Sequence, residues 1–342
     1  MTRLKFSTGY QQRPGSDYME TLLRNKEYLA DVYFSWGDMP SGRGPVEGNI
    51  PPWESTLRQK EELTRLSDAG IPLVLLLNAS CYGASALSRS LFAEIGKTID
   101  SLLSFLIITG VTVVSPVIAR FVRENYPHLD VRASVNIGIG TVEAMTYVED
   151  VFTGFYLQRE YNRDLKRIQK LRAWCDEHGK GLHILANGGC LAHCPARHFH
   201  DNMVAHEREL AAMDNAMNFS GLCREYFSRE GTEISYVRDL RFIRPEDVYL
   251  YEGYADTVKL ATRVSRNPSL IIEAYASGRF SGNLLDLLEP DYSACLYPRI
   301  IDNRRFPAGF GKHLLDCDKN CAGCTYCGEI ARSVLYNLEE DN

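Results

Sequence analysis

Four cysteines stand close together near the end of the chain, Cys317, Cys321, Cys324 and Cys327 in the run CDKNCAGCTYC. Spacings of CxxxC, CxxC and CxxC let four thiolates converge from a short turn-rich loop, as a cubane iron-sulfur cluster or a tetrahedral zinc ion requires. Gly323 and Gly328 supply the permissive backbone for such a loop. An iron-sulfur cluster is the favoured occupant of this group, with zinc as the alternative.

A second constellation lies in NGGCLAHCPARHFHDNMVAH, residues 187–206, where Cys190 and Cys194 are joined by His193, His198, His200 and His206. Half of the eight histidines in the chain fall here, so the group reads as ligands or active-site residues, although each alone reads as the solvated face of a helix starting near residue 199. Pro195 keeps the backbone from folding over the Cys194 thiolate. Cys223 in SGLCREYF is the expected third ligand, with Cys81 in LNASCYG or a histidine as the fourth. Cys175 and Cys295 read as small apolar residues. Spacing leaves open whether Cys190, Cys194 and Cys223 form their own centre or share one with a C-terminal cysteine.

These thiols need a scaffold, and the chain offers one. Short apolar segments alternate with amphipathic helices. Strands are expected at 4–9, 31–36, 72–78, 111–115, 131–136, 152–158 and 182–187, with later candidates at 235–243 and 257–261; helices are expected at 56–69, 85–106 and 160–178. Such alternation means parallel strands with helical crossovers. Seven to nine units, and no GxGxxG after the first strand, point to an α/β fold of the TIM-like (β/α)8 class, closed or incomplete. The barrel is expected over 1–290 and a cysteine-rich metal-binding extension over 291–342. In such a barrel the site lies at the C-terminal strand ends, where Asn78, Ser115, Asn136, Gln158 and Asn187 occur. Asn136 and Asn187 are the expected cofactor-facing residues; a helix-capping role is the competing reading for every one of the five.

Composition narrows the class. With 342 residues, 45% hydrophobic and 24% charged, the chain has enough apolar material for one large domain with an appendage, or for two. A net charge of -6 and the acidic end EEDN argue against a nucleic-acid partner. Ten cysteines without a secretory leader point to a reducing cytoplasm. The uncharged stretch 102–119 is punctuated by Gly110 and Pro116, so it reads as a helix end, a turn and a buried strand, with no membrane span. The Gly- and Pro-rich segment 35–54, carrying Trp36 and Trp53, reads as a lid over the barrel mouth.

The run NGGCLAHCPARHFHDNMVAH, Cys223, FIRPEDVYLYEGYADTVKLATR and SGNLLDLL together resemble the U32 peptidase-like, collagenase-like family from about residue 70 to 290. The resemblance implies a barrel with a [4Fe-4S] cluster near the strand ends. It also implies kinship with oxygen-independent hydroxylases of a quinone precursor or of RNA bases, some of which use prephenate as oxygen donor. The longer family pattern ExFxxGxxCxxxxGxC is absent: Cys190 and Cys194 are separated by LAH and followed by Pro195. The chain is therefore similar to the shorter branch, which includes small partner subunits of quinone-pathway hydroxylases.

The expected function is that of an iron-sulfur redox protein, with one or two [4Fe-4S] clusters, that catalyses or supports oxygen-independent hydroxylation of a small anionic or aromatic substrate. Arg197, Arg244, Lys259 and Arg263 are expected to grip the anion, and His200 or His206 to move protons. Glu246 and Asp247 are expected to cap the helix after Pro245. Two other classes compete. One is a non-catalytic cluster- or zinc-bearing subunit that pairs with a homologous barrel; the other is a peptidase, against which stands the lack of GxSxG, HExxH and an evident cysteine-histidine nucleophile pair.

Overall fold

The computed structural model describes residues 3–13, 15–42 and 52–339. Eight parallel strands, each paired with the next in the chain, run β1 (Lys5–Gly9), β2 (Leu29–Phe34), β3 (Leu73–Leu77), β4 (Ile108–Val113), β5 (Asp130–Ala133), β6 (Gly154–Tyr156), β7 (Gly181–Leu185) and β8 (Thr257–Leu260). β8 pairs back onto β1, with Phe6 opposite Val258 and Ser7 opposite Lys259. The sheet is a closed TIM-like (β/α)8 barrel rather than an incomplete one.

Local sequence explains why these segments behave so. β3 is LVLLL and buried at every position, as a strand covered on both faces must be. The helix Arg89–Leu103 buries Leu91, Ile95, Ile99 and Leu102, a stripe at helical spacing, and the Ser88 hydroxyl accepts from the Leu91 amide to cap it. Ser115 does the same for Ile118, so this strand-end serine is a helix cap. The stretch 102–119 resolves into the end of that helix, β4 and the start of the helix Pro116–Asn125. No described helix is long and apolar enough to cross a membrane.

The later strand expected at 235–243 is instead the helix Glu233–Arg238 followed by coil. Tyr236, Val237 and Leu240 are buried at a helical spacing, and the Arg163 guanidinium donates to the carbonyls of Val237 at 2.8 Å and Phe242 at 2.9 Å. An arginine thus supplies the hydrogen bonds that a neighbouring strand would have provided. The lid expected over 35–54 falls partly outside the described residues. Trp36 packs on the Phe105 ring at 6.0 Å, while Trp53 is largely exposed.

After residue 290 the chain adds a two-stranded antiparallel ribbon, β9 (Arg299–Ile301) with β10 (Leu335–Asn337). The helix Tyr326–Val334 packs against Glu233–Arg238, and its Ile330, Ala331 and Val334 join the apolar core of the barrel. The C-terminal region therefore sits on the long crossover between β7 and β8.

Candidate thiol centre at the barrel mouth

Cys190 reaches the mouth through Asn187, Gly188 and Gly189 at the end of β7. Asn187 is fully buried: its Nδ2 donates to the carbonyls of Ala261 at 3.0 Å and Leu287 at 2.8 Å, and its Oδ1 accepts from the Ala261 amide at 2.6 Å. Asn187 clasps the end of β7 to the end of β8, with both amide protons given to backbone carbonyls. Gly189 donates its amide to the Glu289 carbonyl at 2.7 Å, and any Cβ there would collide with the Pro290 carbonyl oxygen. Gly189→Ala is accordingly expected to displace the Cys190 loop and to lower stability by about 1–3 kcal/mol, read by urea unfolding; an unchanged midpoint would show that the loop yields freely.

Arg159, immediately after β6, was not singled out by the sequence. Its Nη1 lies 3.0 Å from Cys190 Sγ and its Nη2 donates to Asn136 Oδ1 at 2.9 Å, so Asn136 does face the thiol loop by way of this guanidinium. Burial, the largest influence, pulls the Arg159 pKa down, but Cys190, Asp201 and Glu160 together hold it above its ordinary value. The only signal in the chain is a basic residue directly beyond a strand-end glutamine, in LQRE.

Cys223 opens the helix Leu222–Phe227 after Gly221, whose φ of 104° turns the chain inward. The position that a Gly221 Cβ would take is 3.5 Å from Cys223 Sγ and 3.4 Å from His200 Cε1, so both side chains border this glycine. Burial pushes the Cys223 thiol up; the Tyr292 hydroxyl opposes the shift, and the charges of Cys190 and Cys194 add to it. Cys194 lines a cavity of about 360 Å³ with Pro195, Leu222, Tyr226 and Asp239. Cys190, Cys194 and Cys223 are thus electrostatic neighbours at one end of the barrel. Among the described residues, no three His, Cys, Asp or Glu side chains are gathered at metal-holding distances. Chemically the set still suits an iron-sulfur group: soft thiols, one of them beside a half-buried, permanently charged guanidinium that would balance an anionic cluster.

Cys317, Cys321 and Cys324 occupy the loop between the helices Phe310–Asp316 and Tyr326–Val334, and Cys327 lies in the first turn of the second helix. Cys321 and Cys324 are exposed, and the Lys319 amide donates to Cys317 Sγ at 3.4 Å. Burial raises the Cys327 thiol, Arg163 opposes this, and Cys321, Cys317 and Cys324 raise it further. Cys175 is fully buried beneath the barrel, where desolvation pushes its thiol up to about 12.

The expected anion-binding residues separate into different places. Lys259 is buried at the mouth end of β8, with Nζ 3.9 Å from the Tyr33 ring centre and 5.0 Å from that of Tyr156. Burial first, then the charges of Arg263, Arg132 and Arg159, lower its pKa to about 7 against the opposing pull of Asp31. Arg263 donates to Ser41 Oγ at 3.0 Å. Arg197 is held by Glu160 at 2.5 Å and Asp201 at 3.7 Å and donates to the Val135 carbonyl, which makes it a brace of the β5 and β6 ends. Arg244 departs from expectation: it is buried against Phe306 and Phe310 of the C-terminal region and bound to Asp247 at 2.8 Å. That environment makes it a packing residue. Glu246 likewise caps no helix; it accepts from the Phe280 amide and Asn303 Nδ2. His206 lies away from Cys190, bound to Glu209 at 2.7 Å and to Cys81.

An eight-stranded barrel with cysteines gathered beyond β7 defines a class of TIM-like protein, and comparison with known chains carries this further. No family model matches the chain. It is 28% identical over 271 residues, 76% of each chain, to the uncharacterized protease MJ1657 of Methanocaldococcus jannaschii. Its fold resembles that of the U32 peptidase Mk0906, with a TM-score of 0.55 and 17% identity over 76% of this chain and 92% of that one. The structural likeness shows a shared barrel fold, and the sequence likeness relates the chain to the Methanocaldococcus protein over most of both lengths.

Proposed function

We propose that the chain is an iron-sulfur redox protein, with the cluster held by Cys190, Cys194 and Cys223, that catalyses or supports oxygen-independent hydroxylation of a small anionic or aromatic substrate. One observation carries this reading: Cys190, Cys194 and Cys223, from two separate segments, are electrostatic neighbours at the C-terminal end of a barrel, and Arg159 reaches the Cys190 thiol there. A bound cluster would supply one-electron chemistry there. Arg159 offsets its negative charge and orients Cys190. Arg263 attracts a carboxylate to the mouth, and Lys259, poised near pH 7, gives or takes a proton beside Tyr33 and Tyr156. The C-terminal thiols offer a second cluster or a zinc site of the same ligand chemistry.

Iron, acid-labile sulfide and zinc per chain after anaerobic purification test the reading. About four irons and four sulfides are expected for one cubane, about eight of each if the C-terminal thiols hold a second. Cys190→Ala with Cys194→Ala is expected to remove the oxygen-sensitive absorbance near ~400 nm that belongs to the central site. Zinc without iron in the wild-type chain would overturn the proposal.

A further inference from the structure

A thiol outside both cysteine groups carries a different chemistry. Cys81 stands four residues beyond the end of β3, on a turn whose Gly83 adopts a φ of 54° and donates its amide to Cys81 Sγ at 3.3 Å. His206 ends the helix Arg197–Ala205 and donates from Nδ1 to Glu209 Oε2 at 2.7 Å, which leaves Nε2 for its hydrogen bond with Cys81. The imidazole lies against the turn, its Cε1 3.7 Å from where a Gly83 Cβ would be. Cys81 and His206 are both half-buried, so solvent and a ligand reach them. A cavity of about 130 Å³ adjoins His206 and Glu209, bounded also by Asp38, Met39, Ser41 and Val204.

We propose that Cys81, His206 and Glu209 form a second active centre in which Cys81 is a covalent nucleophile toward small acyl esters or amides. Nucleophile, base and a carboxylate that fixes the base stand in the order required for acyl transfer. His206 hydrogen-bonds Cys81 on one side and Glu209 on the other, and the Gly83 amide donates to the same thiol. A hydrogen-bonded imidazole takes the thiol proton, which gives a nucleophilic thiolate beside an imidazolium.

The Cys81 Sγ electron pair attacks the acyl carbon, forming a C–S bond while the bond to the alcohol or amine breaks. The His206 Nε2 proton goes to the leaving group. Water then attacks the thioester as His206 accepts its proton; the acid is released, and the thiol and imidazole return to the starting ion pair. Water is the only co-reactant. Cys81 and His206 are catalytic residues, whereas Glu209 is a positioning residue that acts through the imidazole.

The probe is p-nitrophenyl acetate added to the full chain, with release of p-nitrophenolate followed and the acylated peptide identified by mass spectrometry. A burst with acetyl on the Cys81 peptide is expected, absent in Cys81→Ser and slowed about a hundredfold or more in His206→Gln. Glu209→Gln is expected to slow it about tenfold, with Glu209→Asp recovering part of the loss. Cys295→Ser is expected to leave the burst unchanged. Stripping iron with a chelator is expected to leave it too, so failure of this inference and failure of the cluster proposal give separate signals. Labelling of wild-type chain needs no variant: acetyl distributed over the exposed Cys321 and Cys324 as readily as over Cys81 would overturn the proposal. Full burst kinetics in a folded His206→Gln chain would do the same.

Discussion

Asparagine in place of Asp31 is expected to lower the unfolding free energy by about 3–5 kcal/mol, the cost of leaving a buried charge without its partner. Asp31, on β2, is 1% exposed inside the barrel, its Oδ2 2.6 Å from Arg132 Nη1 across the lumen on β5. Its other oxygen accepts from the Ser7 hydroxyl on β1. Burial, the largest influence on Arg132, disfavours its charge, and Asp31 more than reverses this and holds the guanidinium above its ordinary pKa. Without Asp31, the remaining carboxylate is the exposed Asp130 at 3.5 Å. Urea unfolding of Asp31→Asn checks the loss, and adding Arg132→Met is expected to recover most of it, because the unpaired charge is then gone. A loss below about 1 kcal/mol would mean that water already compensates the pair.

The second large effect belongs to Lys259, whose folded pKa of about 7 lies below the ordinary 10.5. Between those values the unfolded chain binds a proton that the folded chain does not, so this residue makes stability rise with pH through that window. Below pH 7 both forms are protonated and the penalty of the buried charge is complete. Lys259→Met removes the penalty. Its advantage over the wild type is therefore expected to be greatest at pH 6 and to shrink by a few kcal/mol by pH 10, because each pKa unit corresponds to about 1.4 kcal/mol. Subtracting the two unfolding free energies at pH 6, 8 and 10 cancels the other titrating groups. A difference that stays level across the series would show that the ammonium keeps its charge and its water on folding. If the mouth binds an anion, the same variant should also weaken that binding.

Both effects arise from a lumen that is polar as well as apolar. His183 shares a hydrogen bond with Thr257 at 2.8 Å, and burial, followed by the charges of Arg132, Arg172 and Lys259, keeps its imidazole well below the usual pKa. It is neutral at physiological pH.

The barrel was legible in the chain because the information is local. A run such as LVLLL in β3 must be covered on both faces, and Leu91, Ile95, Ile99 and Leu102 must share one helical face. Repeating such units with short connections leaves few folds besides a parallel barrel. The thiol groups were visible for a similar reason, since ligand-rich spacing is itself a sequence property. Residues 235–243 defeated the same reasoning: SYVRDLRFI has the β-branched and aromatic content of a strand, yet Arg163, remote in sequence, supplies hydrogen bonds to its carbonyls and lets it form a helix and coil.

Which charges and thiols meet is a matter of closure and register, and no local pattern encodes it. Arg159 meets Cys190 because β6 and β7 are adjacent in the barrel and their end loops lean together. His206 meets Cys81 because the helix after β7 brings it to the loop after β3, a contact between two segments far apart in the sequence. Asn187 and Arg244 carry the residue types of a binding site, but packing assigns them to a strand clasp and an aromatic sandwich. Periodicity sets which face of an element is buried; only the assembled barrel decides what each buried polar group finds opposite it.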